Sequence, residues 1–211
     1  MGTMIELYVE NVDRNWFGVA YEEQSIVALA SEGGQKEALE MLLKIIPYNV
    51  AFQVVSKGSA FTQKVFSIVK DIHDGKGLTQ DISLSFNHLP DYTSRVLQAV
   101  FQIPVGYVSS YGLVASAVGG GPRAVGNVMA ANLLGPIVPC HRVVASDYGL
   151  GGYGGGLAMK FEILKRERRG YTKEKDIPFN GRLLRVFPVE FVFSHLEKKF
   201  PSVFNTNPFT K

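Results

Sequence analysis

The sequence predicts a mixed α/β (α+β) protein: a small sheet-plus-helix domain followed by a mostly helical one. Three features point there. Two apolar runs around a short polar link near the N-terminus read as a β-hairpin. The apolar residues that follow recur at helical spacing. Beyond a polar stretch containing Gly75, Gly77 and Pro90, short helices are interrupted by three consecutive glycines.

The first run is Glu6-Leu7-Tyr8-Val9, then Trp16-Phe17-Gly18-Val19-Ala20-Tyr21, the turn Glu22-Glu23-Gln24-Ser25, and Ile26-Val27-Ala28-Leu29-Ala30. Ala38, Leu39, Leu42, Leu43 and Ile46 predict a helix over 37–46, and Phe61, Val65, Ile68, Val69 and Ile72 a second over 61–72. Residues 74–90 suit a linker. From Asp91 a helix face runs through Tyr92, Val96, Leu97, Val100 and Phe101, ending before Pro104. Ser109 or Ser110 can cap the next helix, which carries Leu113, Val114 and Val118 and breaks at Gly119-Gly120-Gly121. Pro122 suits the first turn of a further helix over 123–131 with Val125, Val128 and Met129 on one side. Two short helices about such a turn resemble a helix-turn-helix. The second carries Ala124, Gly126, Ala130 and Ala131, whose small side chains allow close approach of a nucleic-acid groove or of another helix.

The domains expected are 1–85, 86–170 and a C-terminal extension of unassigned role over 171–211. In that extension residues 183–193 read as a strand pair or an extended run interrupted at Pro188, and 194–200 as one or two helical turns.

Composition narrows the function. Apolar residues make up 46% and charged residues 19%, enough for a core and against native disorder. No apolar run reaches the roughly 18 residues of a membrane span, and Met1-Gly2-Thr3-Met4-Ile5-Glu6 lacks the pattern of a secretory signal. The lone Cys140 rules out an internal disulfide and any zinc site of paired thiolates. A reducing compartment, cytoplasmic or nuclear, is therefore expected, with the cytoplasm taken as the location and with no metal and no cofactor. The net charge of +3 is uneven: residues 1–100 hold 8 Lys+Arg against 12 Asp+Glu, and residues 101–211 hold 14 against 7. The basic half suits a polyanionic partner.

Chemistry concentrates in residues 132–144. Cys140 stands between Pro139 and His141, with Arg142 next. A thiolate is the reactive form of cysteine, and an adjacent imidazole or cation favours it.

Pro139-Cys140-His141-Arg142-Val143 resembles the active-site signature of the O6-alkylguanine-DNA alkyltransferases. Flanking positions agree in order and spacing: Ser110-Tyr111, Arg123-Ala124-Val125-Gly126, Asn132, Gly151-Gly152-Tyr153, and residues 155–160 ending at Lys160, then Leu164 and Glu167. The resemblance covers about residues 91–168. It implies a ribonuclease H-like N-terminal domain and a winged helix-turn-helix type of DNA-binding domain. It implies a monomer acting on double-stranded DNA that contains O6-alkylguanine, away from membranes. The alkyl group passes irreversibly to Cys140 after the base is flipped from the stack.

By the same resemblance His141 takes the thiol proton through a water, Glu167 orients His141, and Tyr111 donates to the leaving base and crowds the phosphate. Asn132 is the hinge between recognition helix and cysteine turn. Arg123 fills the space left by the flipped base, and Ala124, Gly126, Ala130 and Ala131 face the minor groove. Met129, Val143, Tyr153 and Gly154 form the substrate pocket, and Arg142 is expected to pair structurally with a carboxylate or carbonyls. Two departures stand out: Gly154 occupies the place of a serine that binds the lesion oxygen, and Gly135 that of a proline that packs on bulky adducts. The alternatives are a non-catalytic lesion-binding relative, which would lack the cysteine, and a DNA-binding regulator.

Overall fold

A computed structural model describes residues 4–12, 15–46 and 50–199. Two compact units are present: Met1–Lys70 with Leu78–Leu89 and Leu133–Gly135, and Asp71–Gly77 with Pro90–Asn132 and Pro136–Lys211.

The first unit holds a five-stranded sheet. β1 (Ile5–Val12), β2 (Asn15–Glu22) and β3 (Ser25–Glu32) form an antiparallel meander. β4 (Phe52–Val54) adds in parallel to β1, and β5 (Ser83–Leu84) adds in parallel to β3. The central strands are covered on both faces, which explains why they read as near-continuous apolar runs. One face takes helix α1 (Gln35–Ile45): Leu42 packs with Ile5, Leu7, Ala20, Ala28 and Ala30. Gly18 makes this approach possible, because a Cβ there would sit 2.8 Å from Leu42 Cδ1. Helix α2 (Ala60–His73) stacks Phe66 on Tyr8 and Phe61 near Tyr21. Residues 74–90, expected as a bare linker, contain β5, and Ser85 N–H donates to Ile26 O. Two residues are too few to leave a periodicity signal.

The second unit opens with α3 (Asp91–Phe101), as its spacing predicts. The turn at Gly106 feeds a strand the sequence did not reveal, β6 (Tyr107–Ser110). The two serines then divide their work. Ser110 Oγ accepts from Leu113 N–H and caps α4 (Tyr111–Val118), whereas Ser109 Oγ donates to Arg185 O. Gly119 and Gly120 take φ of 81° and 109°, a region closed to most side chains, and turn the chain into α5 (Pro122–Ala130). Pro122 sits in the first turn of α5, where its missing N–H leaves no bond unmade.

A 3₁₀ turn, Cys140–Arg142, leads to β7 (Val143–Val144), which pairs in parallel with β6. Helix α6 (Leu157–Arg166) follows. Two further strands join the same sheet: β8 (Lys175–Phe179) and β9 (Arg182–Pro188) form a hairpin, and β9 pairs antiparallel with β6. The extended reading of residues 183–193 is corrected beyond Pro188. Val189–Lys199 is a helix, α7, that buries Val189, Val192, Phe193 and Leu196. That spacing is helical, but the β-branched and aromatic residues mimic a strand. Its side chains complete a core with Val108, Val144, Leu150, Phe161, Leu164 and Phe187. The expected helical turns at 194–199 belong to α7; Phe200 lies outside the described residues.

Candidate active site

Cys140 is held by its own backbone before any side chain acts. Its N–H donates to Val138 O at 2.8 Å, and Arg142 N–H donates to Pro139 O at 2.8 Å, closing a tight turn through Pro139. Asn132, just past the end of α5, donates from Nδ2 to the same Val138 O at 2.9 Å. One carbonyl thus ties the end of α5 to the turn that presents the thiol.

The thiol borders a cavity of about 250 Å³ lined by Tyr111, Gly126, Met129, Ala130, Cys140, Gly152, Tyr153 and Gly154. Of the residues expected in a pocket, Met129, Tyr153 and Gly154 line this cavity. Val143 does not: it is buried in β7, and its carbonyl accepts from Lys160 Nζ at 2.6 Å. Tyr111 places its hydroxyl 3.4 Å from Gly152 O, and burial raises its pKa, so it remains a donor at neutral pH. Burial likewise raises Tyr153, whose ring meets His141 edge-on. A Cβ on Gly154 would meet nothing within 4 Å.

Behind the thiol lies a buried charge cluster. His141 and Glu167 are fully buried, and His141 Nε2 lies 3.1 Å from Glu167 Oε1. Arg142 forks onto the same carboxylate, with Nη2 at 2.7 Å from Oε1 and Nε at 3.0 Å from Oε2. Its Nη1 donates to Ile103 O at 2.7 Å. Burial alone would lift the Glu167 carboxyl; His141 and Arg142 outweigh it and hold the pKa at about 2. Burial lowers His141 against the pull of Glu167, so the imidazole is neutral and Arg142 is the partner that stays charged. An ionised carboxylate can only accept, which fixes the proton of His141 on Nε2 and leaves the lone pair on Nδ1. Nδ1 is buried and has no hydrogen-bond partner among the described residues.

The expectation that His141 and Arg142 lower the pKa of Cys140 is corrected. Burial dominates and raises the thiol. The groups that favour the thiolate are the Asn132 side chain, the Lys160 ammonium and the backbone N–H groups of Cys140 and His141. Sequence adjacency misled because Arg142 points away, into Glu167.

Lys160 is the participant that sequence reading left without a role. It is fully buried and donates to Val143 O and, at 3.1 Å, to Gly152 O. Burial pulls its pKa down to about 7. Lys160 and Glu167 stand two turns apart on one face of α6 and its C-terminal cap, so one helix serves both thiol and imidazole. A lysine two turns before a glutamate, with Phe161, Ile163 and Leu164 between them, was the available signal.

Apart from Tyr111, which opens α4, the DNA-binding candidates sit on α5 or just past it. Arg123 and Ala130 are exposed, as is Ala131 just past the helix; Ala124 and Gly126 are half-buried, and Val125, Val128 and Met129 face the core. A Cβ on Gly126 would meet nothing within 4 Å, so Gly126 is not required for packing against a neighbouring helix.

Comparison with known proteins agrees with this geometry. Residues 91–169 match the family described as 6-O-methylguanine DNA methyltransferase, DNA binding domain. The chain is 39% identical over 120 residues to a methylated-DNA–protein-cysteine methyltransferase of Methanocaldococcus jannaschii, covering 55% of this chain and 71% of that one. It is 36% identical over 106 residues to the protein of that name from Methanothermobacter thermautotrophicus, covering 50% of this chain and 60% of that one. The fold resembles the solved O6-methylguanine DNA methyltransferase of Methanococcus jannaschii with a TM-score of 0.58 and 29% identity, over 79% of this chain and 96% of that one. The chain thus spans 60% of the length of one of these curated relatives.

Two outcomes follow from the cluster. Glu167→Gln leaves Arg142 buried without its counter-charge and is expected to cost about 3–5 kcal/mol of stability at neutral pH. Because Glu167 is depressed from 4.5 to about 2, its contribution is present above pH 4.5 and lost as pH falls toward 2. Urea midpoints across that range should therefore flatten in the variant relative to wild type; parallel curves would deny the depressed carboxyl. Lys160→Met should move the pH midpoint of Cys140 alkylation by iodoacetamide upward, and an unmoved midpoint would remove Lys160 from the thiol's environment.

Proposed function

This chain belongs to the methylated-DNA–protein-cysteine methyltransferase family, and on that premise we propose that it repairs DNA directly. Cys140 takes an alkyl group, chiefly methyl, from O6 of guanine in duplex DNA, once and irreversibly. The observation that carries the reading is the lone cysteine bordering a small cavity, backed by a neutral histidine whose tautomer a buried carboxylate fixes.

Burial keeps the thiol protonated at neutral pH, so the reaction needs a base. His141 takes the proton on Nδ1 through a water, and Glu167 and Arg142 hold the ring in place. The sulfur attacks the alkyl carbon in line as the carbon–oxygen bond breaks. Tyr111 donates a proton to the departing guanine. The product thioether resists water and thiols, so each molecule acts once. Asn132 keeps the thiol registered with α5 while the base enters a pocket formed by Met129, Tyr153, Gly154 and the backbone about Cys140.

O6 lies inside the stacked duplex, which requires the base to be flipped out. Arg123 enters the stack, and Ala124, Gly126, Ala130 and Ala131 let α5 press into the minor groove. Readout there is largely insensitive to sequence, as repair demands. The open space beside Gly154 and the absence of a serine hydroxyl favour recognition of the lesion through backbone groups.

The same reading includes a ribonuclease H-like first unit, supported by the meander with a parallel strand beside β1, and a winged helix-turn-helix type of domain over 86–170, supported by α4, the glycine turn and α5. It includes a cytoplasmic monomer. Among the described residues no helix is long and apolar enough to cross a membrane.

Intact-protein mass after incubation with a duplex carrying one O6-methylguanine is expected to rise by one methyl group, mapped to Cys140, and then stop. Cys140→Ala should still bind the duplex and gain nothing; mass uptake by that variant would displace the nucleophile. Tight binding without uptake by the wild type would move the protein to the lesion-binding class. Arg123→Ala should slow reaction with duplex by about 10-fold or more while free O6-methylguanine is affected much less, since only the duplex must be opened. Equal losses on both substrates would remove Arg123 from base flipping.

A further inference from the structure

The match to the family ends at residue 169, yet the fold of the second unit continues through β8, β9 and α7. Residues 168–188 carry six basic side chains, Arg168, Arg169, Lys173, Lys175, Arg182 and Arg185, against Glu174 and Asp176. The hairpin holds three of them, Lys175, Arg182 and Arg185, the last ion-paired with Asp176, and is fixed to the helix-turn-helix. β9 is hydrogen-bonded to β6, which runs straight into the N-cap of α4. Ser109 of β6 donates to Arg185 O. Arg182 Nη1 donates to Ser116 O in α4 at 3.1 Å, and a Cβ on Gly119 would lie 3.7 Å from the same nitrogen.

That last pair of distances decides where the hairpin points. Gly119 opens the turn that ends at Pro122, and Arg123 follows immediately, so Arg182 and Arg123 flank the same three glycines. The tip Asn180-Gly181 takes φ of 47° and 74°, a tight two-residue turn that keeps the arm stiff. Lys173, Lys175, Arg182 and Leu183 are all exposed, Leu183 to 59%. Lys175 rests over the Tyr107 ring at 3.9 Å, a cation–π contact that ties the base of β8 to β6. Such a stiff, basic arm anchored beside a recognition helix has one evident complement, a phosphate backbone.

We propose that the β8–β9 hairpin and its approach form a second DNA contact, gripping duplex phosphates through Arg182, beside the glycine turn that leads into α5, and through Lys173, at the base of the arm. The proposal rests on the DNA-repair reading above and extends it to a segment outside the family match. The contact is independent of sequence and of the lesion, so it governs searching on undamaged DNA as much as binding at the damaged base.

The test is fluorescence anisotropy of the full chain on a short undamaged duplex over a salt series. Arg182→Gln/Lys173→Gln should bind about tenfold more weakly, and the slope of log affinity against log salt should shrink by about 2, the loss of two phosphate contacts. Its circular dichroism and thermal midpoint should match wild type. Leu183→Glu, which removes no polar contact and adds a negative charge to the arm, should also weaken binding and serves as the deciding variant if the double substitution unfolds. Arg182→Lys should keep the wild-type slope. Wild-type affinity and slope in the double variant and in Leu183→Glu, with Arg123→Ala still weakened, would overturn the hairpin contact and leave the repair reading standing. A wild-type chain that bound no duplex at all would overturn both.

Discussion

The second unit is organised around one buried carboxylate. Glu167 receives His141 on one oxygen and the Arg142 fork on both, with no solvent to soften either interaction. Burying a carboxylate is unfavourable unless it is paired and hydrogen-bonded, and Arg142 satisfies both conditions. Through Ile103 O the same guanidinium reaches the chain just past α3, so helix α3, the cysteine turn and α6 are held by a single planar group. A lysine at position 142 could not do this, because it lacks the fork.

The surroundings of Cys140 pull against one another. Burial raises the thiol and lowers Lys160 to about 7, so neither group is comfortably charged at neutral pH. This is the opposite of a preformed thiolate. A protonated thiol is a weak nucleophile, and in the proposed reaction the neutral His141 accepts its proton when a substrate fills the cavity. In the proposed reaction the charge appears only as the bond forms, where Asn132, Lys160 and backbone N–H groups already point.

On the outer side, α5 and the β8–β9 hairpin share a dependence on glycine and on sheet pairing. Gly119 and Gly120 admit the backbone angles that separate α4 from α5. β6, four residues long, connects the hairpin to α4 and pairs with β7 at the cysteine turn. One short strand thus holds Arg182 of the hairpin and the helices α4 and α5 in register.

Much of this was legible in the sequence. Apolar periodicity gave α1, α2 and α3, and proline and glycine chemistry marked the break between α4 and α5, because these signals act within a turn or two of the residue that carries them. The motif around Cys140 named the family, since the order and spacing of its residues survive without the fold. β5, β6 and β7 stayed hidden because strands of two to four residues take their stability from partners distant in the chain. The helix over Val189–Lys199 was masked by residues that favour strands in isolation, and only a core requiring Val192, Phe193 and Leu196 on one side decides it. Likewise the sequence supplied His141, Arg142, Lys160 and Glu167 as residues, but their pairing depends on direction. Arg142 turns away from Cys140 to Glu167 while Lys160 turns toward it, and the fate of a charge in a low-dielectric interior is set by which partner it meets.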